Sequence, residues 1–407
     1  MIQFAVGWTK RQRNGKCVRR LLFSYTKFEG TFHMSTILNY LQANQSGIEE
    51  DVERLVRAES PTTHKALVDR CGEVLTQLFH EHLGAEPQVL AEDLYGNHLR
   101  FEVGTGPHQI LVLGHFDTVW EPGRIPFRRA ANRMHGPGIF DMKGGIVQAI
   151  WAVKALKELG RMPDRKIVFL CNSDEEVGSP TSWKYIEEEA RKCSAVLVVE
   201  PAEPETGNLK LSRKGVGKFK VSVRGVAAHS GNHHLGVSAI REAARLVLEL
   251  EGLTNYEIGT TVNVGTISGG TRDNVVPEQA EFEVDFRVTS ASEAERLVHV
   301  LTHLEPFCEK LSVSTAGGIN RPPMTPTQRT EVMFETAQQI ACELGFSVGR
   351  GAVAGGFSDG NITASLGVPT LDGLGCVGDG PHAAHEHVIV DHFAERAALV
   401  AHLLLEI

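Results

Sequence analysis

Seven side chains of the kinds that bind cations or move protons fall at a few places in this chain. His115 and Asp117 follow the apolar run "ILVLG", Glu175 and Glu176 follow "KIVFLCNSD", and Glu200 follows "AVLVV". Asp141 sits in "HGPGIFDMKGG", and His382 comes after "TLDGLGCVGDGP". Taken singly, His-x-Asp or a Glu-Glu pair is ordinary on a solvated loop. Gathered at one place, these acids would raise one another's pKa values and cost stability unless a positive charge held them. A cation is the natural resolution, and His, Asp and Glu suit a two-metal site bridged by one carboxylate. Zinc fits this donor set best, with cobalt or manganese as possible substitutes because they share its geometry.

The elements around these residues would bring them together. From about residue 48 the chain alternates helical and strand patterns, the organisation of an α/β protein. "GIEEDVERLVRAES", "KALVDRCGEVLTQLFHEHLG", "GGIVQAIWAVKALKELG" and "SWKYIEEEARKC" carry helical spacing. "ILVLG", "KIVFLC" and "AVLVV" are apolar without alternation, as expected of strands covered on both faces, so a mostly parallel sheet flanked by helices is expected. Ligands of such sheets gather beyond the carboxyl ends of the strands, where His115, Glu175, Glu176 and Glu200 lie. Around residue 213 the texture changes. "GKFKVSVRGV" and "AEFEVDFRV" alternate strictly, and the order β-α-β-β-α-β predicts an inserted ferredoxin-like lid over 213–319. Residues 34–212 and 320–407 then form the two parts of a catalytic domain.

Composition narrows the function. The 407 residues are 42% hydrophobic and 22% charged, with net charge −9, and no basic stripe interleaves with aromatics. A nucleic-acid partner is therefore not expected, nor is a membrane span, since no run approaches about 18 apolar residues. Seven scattered cysteines without Cys-x-x-Cys spacing fit reduced thiols in a cytoplasmic setting. Residues 1–33 carry seven Lys/Arg against the single acid Glu29. They read as an extension outside the fold, with Met34 and Ser35 resembling a natural start.

The motifs "GHFDTV", "GPGIFDMKGG", "NSDEEVGS", "VVEPA", "GVAAHSG", "GGTRDNVVP", "VDFR", "GGFSDGN" and "DGLGCVGDGPHAAHEHV" together closely resemble the co-catalytic zinc peptidase and amidase family of glutamate carboxypeptidase, acetylornithine deacetylase and succinyl-diaminopimelate desuccinylase. The resemblance covers about residues 48–407. It implies a zinc-exopeptidase-like sheet and two Zn2+ per chain, one held by His115 and Glu200, the other by Glu176 and His382, with Asp141 bridging. His382 is preferred over His385 because the family's ligand precedes Glu-x-Val by a few residues; His385 and His387 are then polar surface residues. Asp117 would orient the ring of His115. Glu175 would be the general base that deprotonates a metal-bound water and passes the proton to the departing amine. Adjacent residues on an extended segment point apart, so Glu176 could face the metal and Glu175 the substrate.

By the same resemblance His229 would be an oxyanion donor, reaching a neighbouring subunit's site in a homodimer formed through the lid. Asn274 and Arg287 would bind the substrate's carboxylate or carbonyl. Lys210 in "NLKLSRKG" and Arg321 in "GGINRPPM" resemble positions that bind the glutamate carboxylate, although "RKG" and "PPM" depart from that subgroup. The expected reaction is hydrolysis of the amide bond to a C-terminal Glu or Asp of a small peptide or N-acyl amino acid. An N-acyl-amino-acid deacylase would share the catalytic residues, and a catalytically silent metal binder would have no use for Glu175.

Overall fold

A computed structural model describes residues 35–407. The basic segment expected to lie outside the fold falls outside the described residues. The chain enters through helix α1 (35–43), α2 (Gln45–Arg57) and α3 (Lys65–Leu83), the last ending on Gly84 with φ +66°, a left-handed cap that glycine adopts without penalty. Strands β1 (Gln88–Leu90), β2 (His98–Val103), β3 (Gln109–His115), β4 (Lys166–Asn172) and β5 (Ala195–Val198) follow, with α4 (Gly144–Glu158) and α5 (Trp183–Ala190) among them.

The chain then builds a second sheet from β6 (Gly215–Arg224), β7 (Thr261–Gly269), β8 (Gln279–Val288) and β9 (Ser312–Arg321), with α6 (Ala239–Glu251) and α7 (Ala291–Thr302). It returns through α8 (Gln328–Leu344), α9 (Gly360–Ser365), β10 (Thr370–Leu371) and α10 (Phe393–Glu406). The helix α10 is an addition to the elements expected from the sequence.

The first sheet has the order β1-β2-β4-β3-β5-β10. From β4 to β10 its pairs are parallel, and only the β1 and β2 edge runs antiparallel. The unalternating strands are buried on both faces for a visible reason. Ile110, Val112, Ile167 and Phe169 join the core beneath α4, α8 and α10. Their neighbours Leu111, Leu113, Val168 and Leu170 face the opposite way and pack with Ile186 of α5 and Ile362 of α9.

α4 is buried from Gly144 to Val153 and starts against the end of β5. A Cβ on Gly145 would lie 2.0 Å from the carbonyl oxygen of Val199, so only glycine lets the helix start this close to the strand. The "KGG" of the sequence is thus a packing requirement that brings the Asp141 loop down onto the sheet's carboxyl edge.

The second sheet is antiparallel, ordered β7-β8-β6-β9, with α6 and α7 over one face, as expected for a ferredoxin-like insert. Its alternating strands bury Phe219, Val221, Phe282, Val284 and Phe286 in a core of their own with Leu246 and Leu297. Where this unit joins the rest, Arg213 and Met324 exchange backbone hydrogen bonds of 3.2 and 3.0 Å.

Candidate metal centre

Strand register assembles the site. His115 pairs with Asn172 across β3 and β4, and Leu113 pairs with Val198 across β3 and β5. β3 and β4 therefore end level, β5 stops two residues short of them, and the residues at and just beyond these ends meet. His115 Nε2 lies 3.2 Å from Asp141 Oδ1 and 3.5 Å from Glu200 Oε1. His382 Nε2 lies 3.0 Å from Glu176 Oε2 and 3.3 Å from Asp141 Oδ2. One atom from each of His115, Asp141 and Glu200 could share an ion, and so could one from each of Asp141, Glu176 and His382. Asp141 belongs to both triads and offers one oxygen to each histidine.

His115 and the turn that carries Glu176 are held from behind. Asp117 Oδ1 is 3.4 Å from His115 Nδ1; its carboxylate also accepts the Thr62 hydroxyl (2.7 Å) and the backbone N–H groups of Glu175 (3.3 Å) and Glu176 (3.2 Å). A single buried acid thus orients the imidazole and seats the Glu175 turn. That turn is a 3-10 helix, Glu175–Val177, and not the extended segment expected. The two glutamates still diverge, because successive residues of a three-fold helix project about 120° apart. Glu176 is turned to His382, while Glu175 Oε1 is buried without a hydrogen-bond partner among the described residues.

Asp141 rides on a loop at a cis peptide bond to Met142. His382 has φ +59°, a left-handed backbone unusual for a residue with a side chain. A short strand, His387–Ile389, pairs with Arg133–His135, so the two loops lie together. His385 is exposed, but His387 is buried with Nδ1 3.0 Å from the His385 carbonyl, correcting its expectation as a surface residue.

The electrostatics show what the cluster lacks. Hydrogen bonding to Asp141 and Glu176 pushes the His382 imidazole up to about 11. Burial opposes charge on His115, yet Asp117, Asp141 and Glu200 outweigh it and hold its pKa well above the usual range. Burial pushes Glu176 up to about 7; burial followed by the charges of Asp359, Glu200 and Glu176 pushes Glu175 well above its ordinary value, against the pull of His115. The acids raise both histidines and burial raises both glutamates, so the cluster is short of positive charge. Divalent cations would supply that positive charge while accepting neutral imidazole nitrogens, so the donor set fits them.

Beside the cluster opens a cavity of about 470 Å³, lined by Asp141, Glu200, Lys210, Arg213, Phe357 and His382 among others. Lys210 lines this cavity, and its side chain has no hydrogen-bond or ion-pair partner among the described residues. Burial and the neighbouring Arg213 lower its pKa, against the acids around it.

Arg321 lies in the protein interior and is not among the residues that line this cavity. It is fully buried, donating from Nη1 to the Gly178 carbonyl (2.7 Å) and from Nη2 to Ser179 Oγ (2.6 Å) and Asp359 (3.2 Å). The fork that a substrate carboxylate would need is taken. Arg287 is likewise paired, in two bonds to Asp285 on the same strand. His229 and Asn274 sit together on the lid, the Ser230 N–H donating to the Asn274 carbonyl at 3.0 Å. Both are exposed, and neither lines this cavity.

Three groups that matter here were not singled out from the sequence: Glu386, Arg213 and Asp372. Glu386 stood only as part of the "Glu-x-Val" that placed His382, Arg213 only as a neighbour of Lys210, and Asp372 within "TLDGLG". Their signal is tertiary, since each is a buried charge whose partner lies far along the chain.

Convergent histidines and carboxylates at the carboxyl edge of a mostly parallel sheet define the class as an α/β protein with a candidate two-ion metal centre. The sequence model of peptidase family M20/M25/M40 matches residues 111–406, and the chain belongs to that family, whose members are metal-dependent hydrolases of amide bonds. It is 29% identical over 314 residues to carboxypeptidase G2 of Pseudomonas sp. (strain RS-16), covering 75% of each chain. To succinyl-diaminopimelate desuccinylase of Ehrlichia canis (strain Jake) it is 23% identical over 335 residues, 75% of this chain and 83% of that one. The crystal structure of aminopeptidase PepT from Bacillus cereus ATCC 10987 superposes with a TM-score of 0.72 at 24% identity, over 89% of this chain and 98% of the other, a likeness of fold.

Proposed function

We propose that this chain is a two-zinc carboxypeptidase that releases a C-terminal Glu or Asp from a small peptide or N-acyl conjugate. The observation that carries the reading is the shared carboxylate of Asp141 between two His/Glu pairs, next to a cavity whose lysine has no partner. His115, Glu200 and Asp141 would hold one ion, and Asp141, Glu176 and His382 the other. When bound, such a pair supplies Lewis acidity toward a carbonyl and a water molecule.

The chain's own groups do the rest. Glu175 takes a proton on its unpartnered Oε1 and delivers it to the departing amine. Asp117 keeps the His115 ring in register. Lys210, half-buried in the cavity wall, meets the acidic side chain of the terminal residue, which gives this cation the partner it lacks. His229 and Asn274, exposed on the lid, act as carbonyl donors from a second copy of the chain in a homodimer. The described cysteines are free, which supports a reducing, cytoplasmic setting.

The test is hydrolysis of matched dipeptides and N-acyl substrates ending in Glu, Asp, Leu, ornithine or diaminopimelate by the zinc-loaded protein. Preference for terminal Glu or Asp is expected. Preference for ornithine or diaminopimelate would replace this reading with a deacylase, which the match to the desuccinylase supports as the second candidate. No hydrolysis by a protein holding two zinc ions would leave a silent metal binder.

A further inference from the structure

Glu200 has two carboxylate oxygens, and the fold treats them differently. Oε1 faces His115 Nε2 at 3.5 Å, inside the first triad. Oε2 accepts from Arg213 Nη2 at 3.4 Å. Arg213 is 4% exposed, and all five of its N–H groups have partners. Nε and Nη2 fork onto Asp372 at 2.7 and 3.0 Å, Nη1 donates to the carbonyls of Phe357 (3.3 Å) and Gly356 (3.5 Å), and the remaining Nη2 donor goes to Glu200. Asp372 is fully buried and held in turn by the Ser358 hydroxyl at 2.6 Å.

A guanidinium locked this completely cannot follow a moving carboxylate, so the carboxylate must conform to it. Among the described residues the second triad has no equivalent. Glu176 Oε2 meets His382, and the turn that carries it is seated through backbone N–H groups, not by a side-chain cation.

We infer that Arg213, seated by Asp372, is a positioning residue that makes Glu200 present Oε1 alone to the ion it shares with His115 and Asp141, and thereby sets the affinity of that position separately from the other. The inference rests on the two-metal reading above. Groups that orient metal ligands typically change affinity by about 10–100-fold when lost, and Arg213 touches only one of the two triads.

The experiment titrates metal-depleted protein with Zn2+ in competition with a chromophoric chelator. The parent is compared with Arg213→Met/Asp372→Asn, which removes both buried charges together, and with Arg213→Lys, which keeps the charge and loses the fork. The parent should take two equivalents; fewer would overturn the two-metal reading itself. In the double variant one equivalent should keep its parental affinity and the other weaken about 10–100-fold, with Arg213→Lys showing the same selective loss. Placed in a His382→Asn background, the double substitution should weaken the equivalent that remains, whereas in a His115→Asn background it should not. Two equivalents at parental affinity, or equal weakening of both, would overturn the inference. Should the double variant fail to fold, Arg213→Lys decides alone on the same two outcomes.

Discussion

The buried carboxylate of Glu386 accepts the backbone N–H of Asp141 at 3.2 Å, so an acid four residues after His382 holds the loop whose carboxylate both histidines share. The same carboxylate accepts from Phe140 at 2.9 Å, Gly138 at 3.1 Å and Trp120 Nε1 at 2.8 Å. The His382 loop and the Asp141 loop are thereby one unit, joined at a fully buried carboxyl group.

Glu386→Ala leaves four donors without their acceptor. Urea unfolding of the metal-free protein should show a loss of about 2–4 kcal/mol, and Glu386→Gln, which keeps an acceptor oxygen, should lose less. Equal stability of Glu386→Ala and parent would remove Glu386 from this role.

Glu175→Gln keeps the size of the side chain but cannot take a proton. Turnover should fall by about 10²–10⁴-fold, while the zinc content, read by elemental analysis, stays at the parental value. Unchanged turnover would take Glu175 out of the mechanism.

Lys210 and Arg321 separate by what each variant changes. Lys210→Met should raise KM for a Glu-terminal substrate by about tenfold or more with kcat largely kept, the pattern of lost ground-state binding, and should leave a Leu-terminal substrate unaffected. Arg321→Met instead strands the buried Asp359, and the expected result is destabilisation of about 3–5 kcal/mol in chemical denaturation. A stable Arg321→Met protein with a substrate-specific rise in KM would restore Arg321 to the pocket.

Acid stability should depend on Asp51, far from the site. Burial pushes its carboxyl up, but hydrogen bonds from His82 (2.6 Å) and Trp151 (2.9 Å) and the charge of Arg54 outweigh burial and leave its pKa below the ordinary value. A carboxyl lowered on folding adds stability above its unfolded pKa of about 4. That stability is lost as pH falls through the folded value. Asp51→Asn should therefore be less stable than the parent at neutral pH, and the two should converge below about pH 4. A gap that stays constant down to pH 2 would mean that lost packing, not charge, explains the effect.

Much of this protein is local physics and was legible in the linear chain. Unalternating "ILVL", "IVFL" and "AVLV" announce strands covered on both faces, and strictly alternating "FEVDF" a sheet with one wet face. Because strand ends in a parallel sheet converge, His115, Asp117, Asp141, Glu175, Glu176, Glu200 and His382 could be grouped before any coordinate was known; the family resemblance singled out five of them as ligands, and the fold gathers those five. Other features depend on which distant residue neutralises a buried charge, and spacing carries no trace of that. Arg321 looked like a substrate ligand, but tertiary packing gives its fork to Gly178, Ser179 and Asp359. Arg213 looked like a bystander, yet Asp372, 159 positions away, aims it at Glu200. Sequence determines where side chains of a given chemistry can gather, because strand periodicity is local. The tertiary structure alone decides which of them are free to act, because burying a charge obliges the fold to find its partner wherever along the chain it lies.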